Sequence, residues 1–580
     1  MFSVNRLLLA AAFLLSALGS ACADASAAQY RGCDGYGAAS NDGDGMTELA
    51  TVLLIFNPPG YGNTARNTTS PGAAGIADCD AALADLPVKH WMRKVSLLRA
   101  RAMHRLDNND TTGALADLDL AVAAAKNADD PLYARSLGLG VTYVRAFALQ
   151  KSGDVMGAKT LALNALAQRP FNRQSVVSAL MSMGVNAPSS DIEKVEHILA
   201  RLTPREIDQV FVRKLQNGQF QEAMALYPQL VPYREIGQVN ISEGQHRERD
   251  MREFGASQFF RASRAGAYAY ALVNLGRVQE AQSVLTTVRA QLAKDTQPPP
   301  ALDSSLSPSE HARQMAYREE DVANRIKVAS GGNKLLDIWG GFVDLRLMID
   351  QGKMTDALKV LQSKKGTWEE LQLLDIVLVK LPKSDKASIA TAEALKLAWT
   401  KAVKAAREPS MDTVFKSLPE PESVGRIPPY EPAKQPLFRD SGEYADMQFN
   451  GYQMRNSVTP DVVTVSFRGE RSTASLIEDM ALLRAADLAR QAGKKGLIIV
   501  DRHDTAFTVS TEYYGRVVRT DPNGFETDLD VLFVDPNALP EKYRDQAWRV
   551  IDTDEAYAAL APVYIRSKAT TKPGPDAAND

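Results

Sequence analysis

Histidine and cysteine are scarce, with six and three in 580 residues. No two of His90, His104, His197, His246, His311 and His503 stand at a metal-binding spacing, and HExxH is missing, so no metal or other cofactor is expected. GxSxG, a P-loop and a GxGxxG followed by an acidic residue are absent as well. That removes the usual serine-hydrolase and nucleotide signatures. No CxxC occurs, which argues against thiol redox catalysis. Aromatics are only 7% of the chain and net charge is only −3. A balance so close to neutral gives no basic footprint for nucleic acid or an anionic membrane.

Long apolar runs are also rare. The clearest, Leu7 to Leu18, follows Met1–Arg6 with its single positive charge and precedes a small-residue stretch, Gly19 to Ala28. This is the three-part layout of a secretory signal peptide, and the run is too short for a stable spanning helix. Residues 1–28 are therefore expected to be removed on export to the periplasm. Ala21-Cys22-Ala23, Ala23-Asp24-Ala25 and Ala25-Ser26-Ala27 all satisfy the small-x-small cleavage rule. Cys22 opens a second route, lipidation and an outer-membrane lipoprotein. The Leu of a lipobox is displaced, however: Gly19 fills its place and Leu18 lies one residue too early. Cys33 and Cys79 then remain as a pair, expected to bridge in an oxidising compartment. Residues 29–87 are rich in Gly, Asn, Asp and Pro and read as a disulfide-pinned N-terminal cap. Within it, Asp42-Gly43-Asp44-Gly45 reads as a turn, because it lacks the full ligand set of a calcium loop.

From about 88 to 408 apolar residues recur at three- and four-residue spacing, as in helices. A local pattern repeats: Gly, any residue, an apolar residue, two more residues, Ala. It occurs at Gly153–Ala158, Gly218–Ala223, Gly276–Ala281 and Gly352–Ala357. Glycine ends one helix in the left-handed conformation. Alanine lets the next helix approach closely. One such hairpin cannot bury its apolar face alone, so the hairpins must stack.

These residues resemble the tetratricopeptide repeat (TPR) family. The best match runs from Tyr143 to Pro170, with Ala146, Gly153, Ala158, Ala165 and Pro170 at signature positions. A looser copy precedes it, with Ala102, Ala114, Leu118 and Ala121 around an enlarged Asp107–Asp110 loop. The glycines are separated by 65, 58 and 76 residues, not by multiples of the repeat's length of about 34. Phe211 and Leu345 fill the small first-helix position in two copies. The resemblance implies a degenerate α-solenoid that binds protein or peptide partners. The expected array covers 88–293 and 311–408, broken by a Pro/Ser-rich stretch at 294–310. A Pro-rich linker, 409–445, includes seven prolines between Pro409 and Pro436.

After the linker the period changes. Val462–Phe467 reads as a strand and Ser472–Ala492 as a helix capped by Ser472 and ended by Gly493. Gly496–Asp501 reads as a buried strand. Ala506–Arg519 and Glu526–Val534 read as strands joined at Asp521-Pro522-Asn523-Gly524. Trp548–Ile551 and Asp554–Leu560 read as a short strand and a final helix. The expected fold is thus mainly α, with a small C-terminal α+β domain over 446–566 and a disordered tail, 567–580. Gly451-Tyr452, Val465–Gly469, Glu478–Leu488, Gly493 and the strand ending at Asp501 resemble a domain of small bacterial envelope lipoproteins of uncharacterised function. The resemblance implies an envelope location and no activity.

Three polar groups remain. Asp501-Arg502-His503-Asp504 is a dense cluster at an expected strand end. Glu478 and Asp479 with Arg484 fall on a helix, where such charges cap, pair or face water. His246–Phe254 mixes charges closely, and Arg249, Arg261, Arg264 and Tyr268 are candidate partner contacts, Arg and Tyr being frequent interface anchors. The expected function is a non-enzymatic envelope scaffold binding a protein or peptide, with an N-terminal lipid anchor if Cys22 is modified. The alternative is an enzyme or small-ligand sensor with its site in the C-terminal domain.

Overall fold

The computed structural model describes residues 28–36, 69–128, 130–231, 244–295, 297, 307–422, 451–456, 459, 461–470, 472–513 and 516–565. The signal segment, Cys22, the Asp42–Gly45 turn and the tail lie outside them. Arg249 and His246 lie in a described helix, but their side chains do not. Two compact units emerge. One joins residues 1–204 to 409–580; the other is 205–408. The second unit is therefore an insertion in the chain of the first. The second unit ends at Glu408 and the first resumes at Pro409, where the expected linker at 409–445 begins. The C-terminal domain belongs with the N-terminal hairpins.

In the first unit, helices α1 (Gly72–Asp85), α2 (Trp91–Asp107), α3 (Thr111–Ala124), α4 (Leu137–Ser152), α5 (Val155–Gln168), α6 (Arg173–Met183) and α7 (Ser189–Leu202) follow one another as hairpins. Cys33 and Cys79 form the expected disulfide. It ties a helical turn at 28–34 to α1. Closing the 46-residue separation contributes about 4 kcal/mol on the chain-entropy account. Asp34 adds a buried pair with Arg93 at 2.9 Å.

The second unit contains α8 (Ile207–Gln216), α9 (Phe220–Leu226), α10 (Gly244–Asn274), α11 (Val278–Asp295), α12 (Pro308–Asp350), α13 (Met354–Gln362), α14 (Trp368–Lys380) and α15 (Lys386–Arg407). Tyr270 of α10 is fully buried, ringed by Phe220, Trp339, Phe342 and Trp368 with ring centres 5.9–6.2 Å away. Its hydroxyl donates to Gln372 Oε1 at 3.1 Å. Gln372 Nε2 in turn donates to the carbonyls of Leu215 and Gln216 at the end of α8. These are helix-terminal acceptors that would otherwise lack partners.

All four glycine corners are realised. Gly153, Gly218, Gly276 and Gly352 have φ of 93°, 73°, 78° and 78°. In each, the next residue's N–H reaches back to a carbonyl five residues earlier, as Asp154 does to Leu149 at 2.9 Å and Arg277 to Leu272 at 2.9 Å. This is the bonding of a Schellman end. Ala158, Ala223, Ala281 and Ala357 are fully buried. The expected enlarged loop at Asp107–Asp110 is instead the same corner. Asn109 takes φ 61°, and Asp110 N–H reaches Arg105 O at 2.8 Å. Asparagine is the other residue that tolerates this conformation, through its short polar side chain.

After the insertion, α16 (Met411–Ser417) packs back onto the first unit, where a Pro-rich linker was expected. Three successive carbonyls are held: Ser417 by Ser178, Leu418 by Gln174 and Pro419 by Arg99. Then follow β1 (Gly451–Asn456), β2 (Val462–Glu470), α17 (Ala474–Gln491), β3 (Gly496–Tyr513), β4 (Arg516–Val534), β5 (Ile551–Asp552) and α18 (Thr553–Tyr564). The sheet is antiparallel, in the order β1-β2-β4-β3-β5. Val465, Phe467, Leu497, Ile499, Leu529 and Val531 bury one face against α17.

Several details depart from the sequence reading, among them the division of the expected strand Ala506–Arg519 between β3 and β4. β1 was not expected. The cap of α17 is Thr473, which accepts from Leu476 N–H, and not Ser472. The turn at Asp521–Gly524 does not exist, because β4 runs through it and pairs with β3 down to Arg516. Pro522 is tolerated because β2 reaches only to Gly524. Beyond that point β4 pairs with β3 alone, and proline's missing N–H costs no second ladder. A register shift between Phe507 and Thr508 takes up Asn523 as a bulge.

The corners predict a contrast. A Cβ added at Gly218 meets nothing within 4 Å, so Gly218→Ala should cost only the left-handed backbone, about 1–2 kcal/mol. Ala223→Leu forces bulk into a closed contact and should cost about 1–3 kcal/mol, accompanied by side-chain disorder. Urea denaturation with near-ultraviolet circular dichroism separates the two. Loss of near-ultraviolet signal in both variants would contradict the corner geometry.

Candidate functional site

The polar groups singled out in the sequence do not assemble into one centre. β3 continues through Asp501-Arg502-His503-Asp504, so the expected strand end is not there. Alternation then separates these residues. Asp501 and His503 pair in register with Asp530 and Asp528, while Arg502 and Asp504 pair with Leu529 and Thr527 on the opposite face. His503 is exposed. Arg502 is drawn under the sheet to Glu478 at 2.6 Å. Arg484 does not join Glu478 and Asp479 but pairs with Asp487. Among the described residues no group of three or more His, Cys, Asp or Glu side chains could hold a metal ion.

Asp479 is the centre of a buried ionic cluster in the first unit. Its carboxylate is fully buried and accepts from five groups. Arg169 donates through Nη2 at 2.8 Å and Nε at 3.1 Å, Arg135 at 3.1 Å, Asn172 at 3.0 Å and Tyr564 Oη at 2.9 Å. Arg169 also holds Glu422 at 2.8 Å, and both side chains are 1% exposed. The residues come from the ends of α5 and of the short helix Pro131–Arg135, and from α6, α17, α18 and the segment after α16. Two cations thus face two anions from elements far apart in sequence, Arg169 and Asp479 being 310 positions apart.

The two carboxyls titrate in opposite directions. Burial pushes Glu422 up to about 7, the Arg169 charge pulling against the rise and the Asp479 charge adding to it. Burial would raise Asp479 too. The charges of Arg169 and Arg135, with the Asn172 and Tyr564 hydrogen bonds, outweigh it and hold Asp479 below its usual value. The cluster can fasten elements and bind protons, but it exposes no face to a substrate.

The candidate partner residues in the second unit turn inward. Arg261 bonds Asp295 at 2.8 Å and Gln258 at 3.1 Å. Arg264 bonds Asp208 at 2.6 Å and the Val231 carbonyl at 2.7 Å. Tyr268 stacks on Tyr227 with ring centres 3.9 Å apart. These three hold α10 to its neighbours and do not form an outward stripe.

A cleft of about 500 Å³ opens elsewhere in the same unit, between α11 and α12. The helices run antiparallel there. Gly332 lies near Leu292, and Arg289 bonds Asp337 at 2.7 Å. One wall carries Gln282, Leu285, Thr286 and Arg289. The other carries Asp337, Gly340, Gly341, Val343 and Asp344. Gly341 is exposed, and a Cβ added there meets nothing within 4 Å. Sequence reasoning passed over these residues. Their one local signal is a pair of adjacent glycines inside a helix, a choice that costs roughly 1 kcal/mol per residue relative to alanine.

The chain matches no protein-family model, and no curated protein matches its sequence. The site must be read from its own geometry.

Two outcomes follow for the ionic cluster. Asp479→Ala leaves Arg169 buried beside a weakened partner set and should cost about 3–5 kcal/mol, read as a lower urea midpoint. An unchanged midpoint would remove the cluster from its structural role. Glu422 has the opposite linkage. Its folded value lies above its ordinary 4.5, so the folded state binds the proton more tightly. Its contribution is fully present below pH 4.5 and is lost as pH rises through about 7. Over that span the change is on the order of 3 kcal/mol. Glu422→Gln should flatten the stability profile between pH 4.5 and about 7, and a profile identical to wild type would contradict the assignment.

Proposed function

We propose that this chain is a non-enzymatic scaffold of TPR-like hairpins that works in the bacterial envelope after export and binds a protein or peptide partner. The observation that carries the reading is the repeated corner. Four glycines in left-handed turns, each followed five positions later by a buried alanine, make paired helices whose apolar faces require neighbours. Surfaces of this kind bind along the grooves between helices. The cleft between α11 and α12 is such a groove. The disulfide Cys33–Cys79 fits an oxidising compartment. Among the described residues no helix is long and apolar enough to cross a membrane, which is compatible with an exported chain tethered, if at all, at Cys22.

The test is cross-linking in intact cells followed by affinity purification of the full chain. One stoichiometric protein should be recovered. Recovery of none, together with turnover of a small molecule by the pure protein, would replace the scaffold with an enzyme.

A further inference from the structure

The chain itself shows what one face of the first unit can hold. Residues 414–422 lie against α2, α4 and α6, the first helices of three successive hairpins. The grip is on the backbone. Ser178 of α6 donates to the Ser417 carbonyl at 2.6 Å, Gln174 of α6 to the Leu418 carbonyl at 2.9 Å, and Arg99 of α2 to the Pro419 carbonyl at 2.6 Å. Gly140 of α4 leaves the room, since a Cβ there would lie 2.3 Å from Arg99 Nη1 and 3.3 Å from the Pro419 oxygen. Three side chains thus hold three consecutive carbonyls, whatever side chains the segment carries.

The segment matches such a surface. Leu418 precedes a proline and takes φ −68° and ψ 142°, the polyproline conformation that the following ring favours. Pro419 and Pro421 have no N–H, so the stretch brings acceptors to a face that supplies donors. Without those donors an extended segment would bury its carbonyls unbonded, which is costly. Side-chain identity enters elsewhere. Val414, Phe415 and Leu418 are buried, and Phe415 stacks on His104 with ring centres 6.0 Å apart.

The far end is held less well. Glu422 meets Arg169, but Arg169 also serves Asp479. The second oxygen of Glu422, Oε2, is buried with no hydrogen-bond partner among the described residues. A buried acceptor left unmet costs free energy. The segment is therefore an imperfect occupant, firm at Leu418 and weak at Glu422.

We propose that this face is a peptide-binding groove, that residues 414–422 fill it as an exchangeable strap, and that a protein partner enters by replacing the strap with an extended, proline-containing segment of its own led by an apolar residue. The assignment rests on the scaffold reading and names its surface and the kind of segment it takes. Being tethered, the strap competes at an effective concentration on the order of millimolar, which keeps the groove closed to weak ligands.

The test uses the full chain and a fluorescent peptide of residues 411–422. In the double variant Phe415→Ala, Leu418→Ala the strap loses its apolar anchors. The peptide should bind that variant at least tenfold more tightly than wild type by fluorescence anisotropy, and a peptide carrying Leu418→Asp should not bind. A second measurement needs no variant. The amides of Val414 and Val176 are both bonded within their helices, to Ser410 and Asn172. In an isotope-labelled wild-type chain, unlabelled peptide in millimolar excess should speed hydrogen exchange at Val414 at least tenfold and leave Val176 of α6 unchanged. Equal or absent binding to the two proteins, or exchange at Val414 indifferent to the peptide, would overturn the proposal and make the strap a permanent part of the core. If the double variant loses its circular dichroism, the exchange result decides alone. In cells, the double variant should capture more of the stoichiometric partner than wild type does. Equal capture ends the strap proposal and leaves the scaffold reading standing.

Discussion

Asp479 is a fully buried carboxylate that accepts hydrogen bonds from Arg169, Arg135, Asn172 and Tyr564, and the arrangement of the first unit follows from it. Taking such a charge out of water costs several kcal/mol even after relaxation. The cost is offset only when all the donors arrive together. Each donor sits on a different element: Arg135 at the end of the helix Pro131–Arg135, Arg169 at the close of α5, Asn172 at the start of α6 and Tyr564 in α18. A docking that missed any of them would leave a charge buried without its partner. The α+β domain is therefore held in one place by geometry, while the apolar contacts of α17 supply area without direction. Glu422 extends the same cluster to the segment that returns from the insertion. One guanidinium serves both carboxyls, and the second is served less well. That is why the two titrate in opposite directions.

The hairpins depend on a shorter-range rule. A left-handed residue, a backbone bond reaching back to close the first helix, and a buried alanine five positions on recur at five turns between paired helices, those of Asn109, Gly153, Gly218, Gly276 and Gly352. Asn109 and Ala114 follow the rule without a glycine. The irregular spacing between corners is no obstacle, because the rule involves only the residues at the turn. Helix length is free to vary, and α12, with 43 residues, shows how far. Within α12 the glycines divide into two kinds. Gly332 is explained by Leu292, whose side chain would touch an added Cβ at 3.0 Å. Gly331 and Gly341 have no such neighbour and lie on the exposed side of the helix.

The arginines and tyrosine singled out as partner contacts show how sequence reading can mistake the direction of a side chain. Arg261, Arg264 and Tyr268 have the chemistry of interface anchors, and they act as anchors, but within their own unit. Nothing in residue type distinguishes the two uses. Only the positions of Asp295, Asp208 and Tyr227 do so.

Local physics made much of the protein legible from the sequence alone. The helices, the four glycine corners, the buried alanines, the Cys33–Cys79 pair and the change to strands after residue 445 all follow from neighbours a few positions apart, or from a count of two cysteines. Three features were decided only by tertiary structure. One is the joining of the C-terminal domain to the N-terminal hairpins, set by ion pairs such as Arg169–Asp479 across about 300 residues. Another is the path of β4 through Asp521–Gly524. That stretch carries every local mark of a turn, yet it is paired by a partner strand whose register is set at Val462–Glu470 and Gly496–Tyr513. The last is the cleft, because the stripes of α11 and α12 acquire meaning only when the helices lie side by side. Charge and hydrogen bonding act through space, and a sequence lists its residues along the chain.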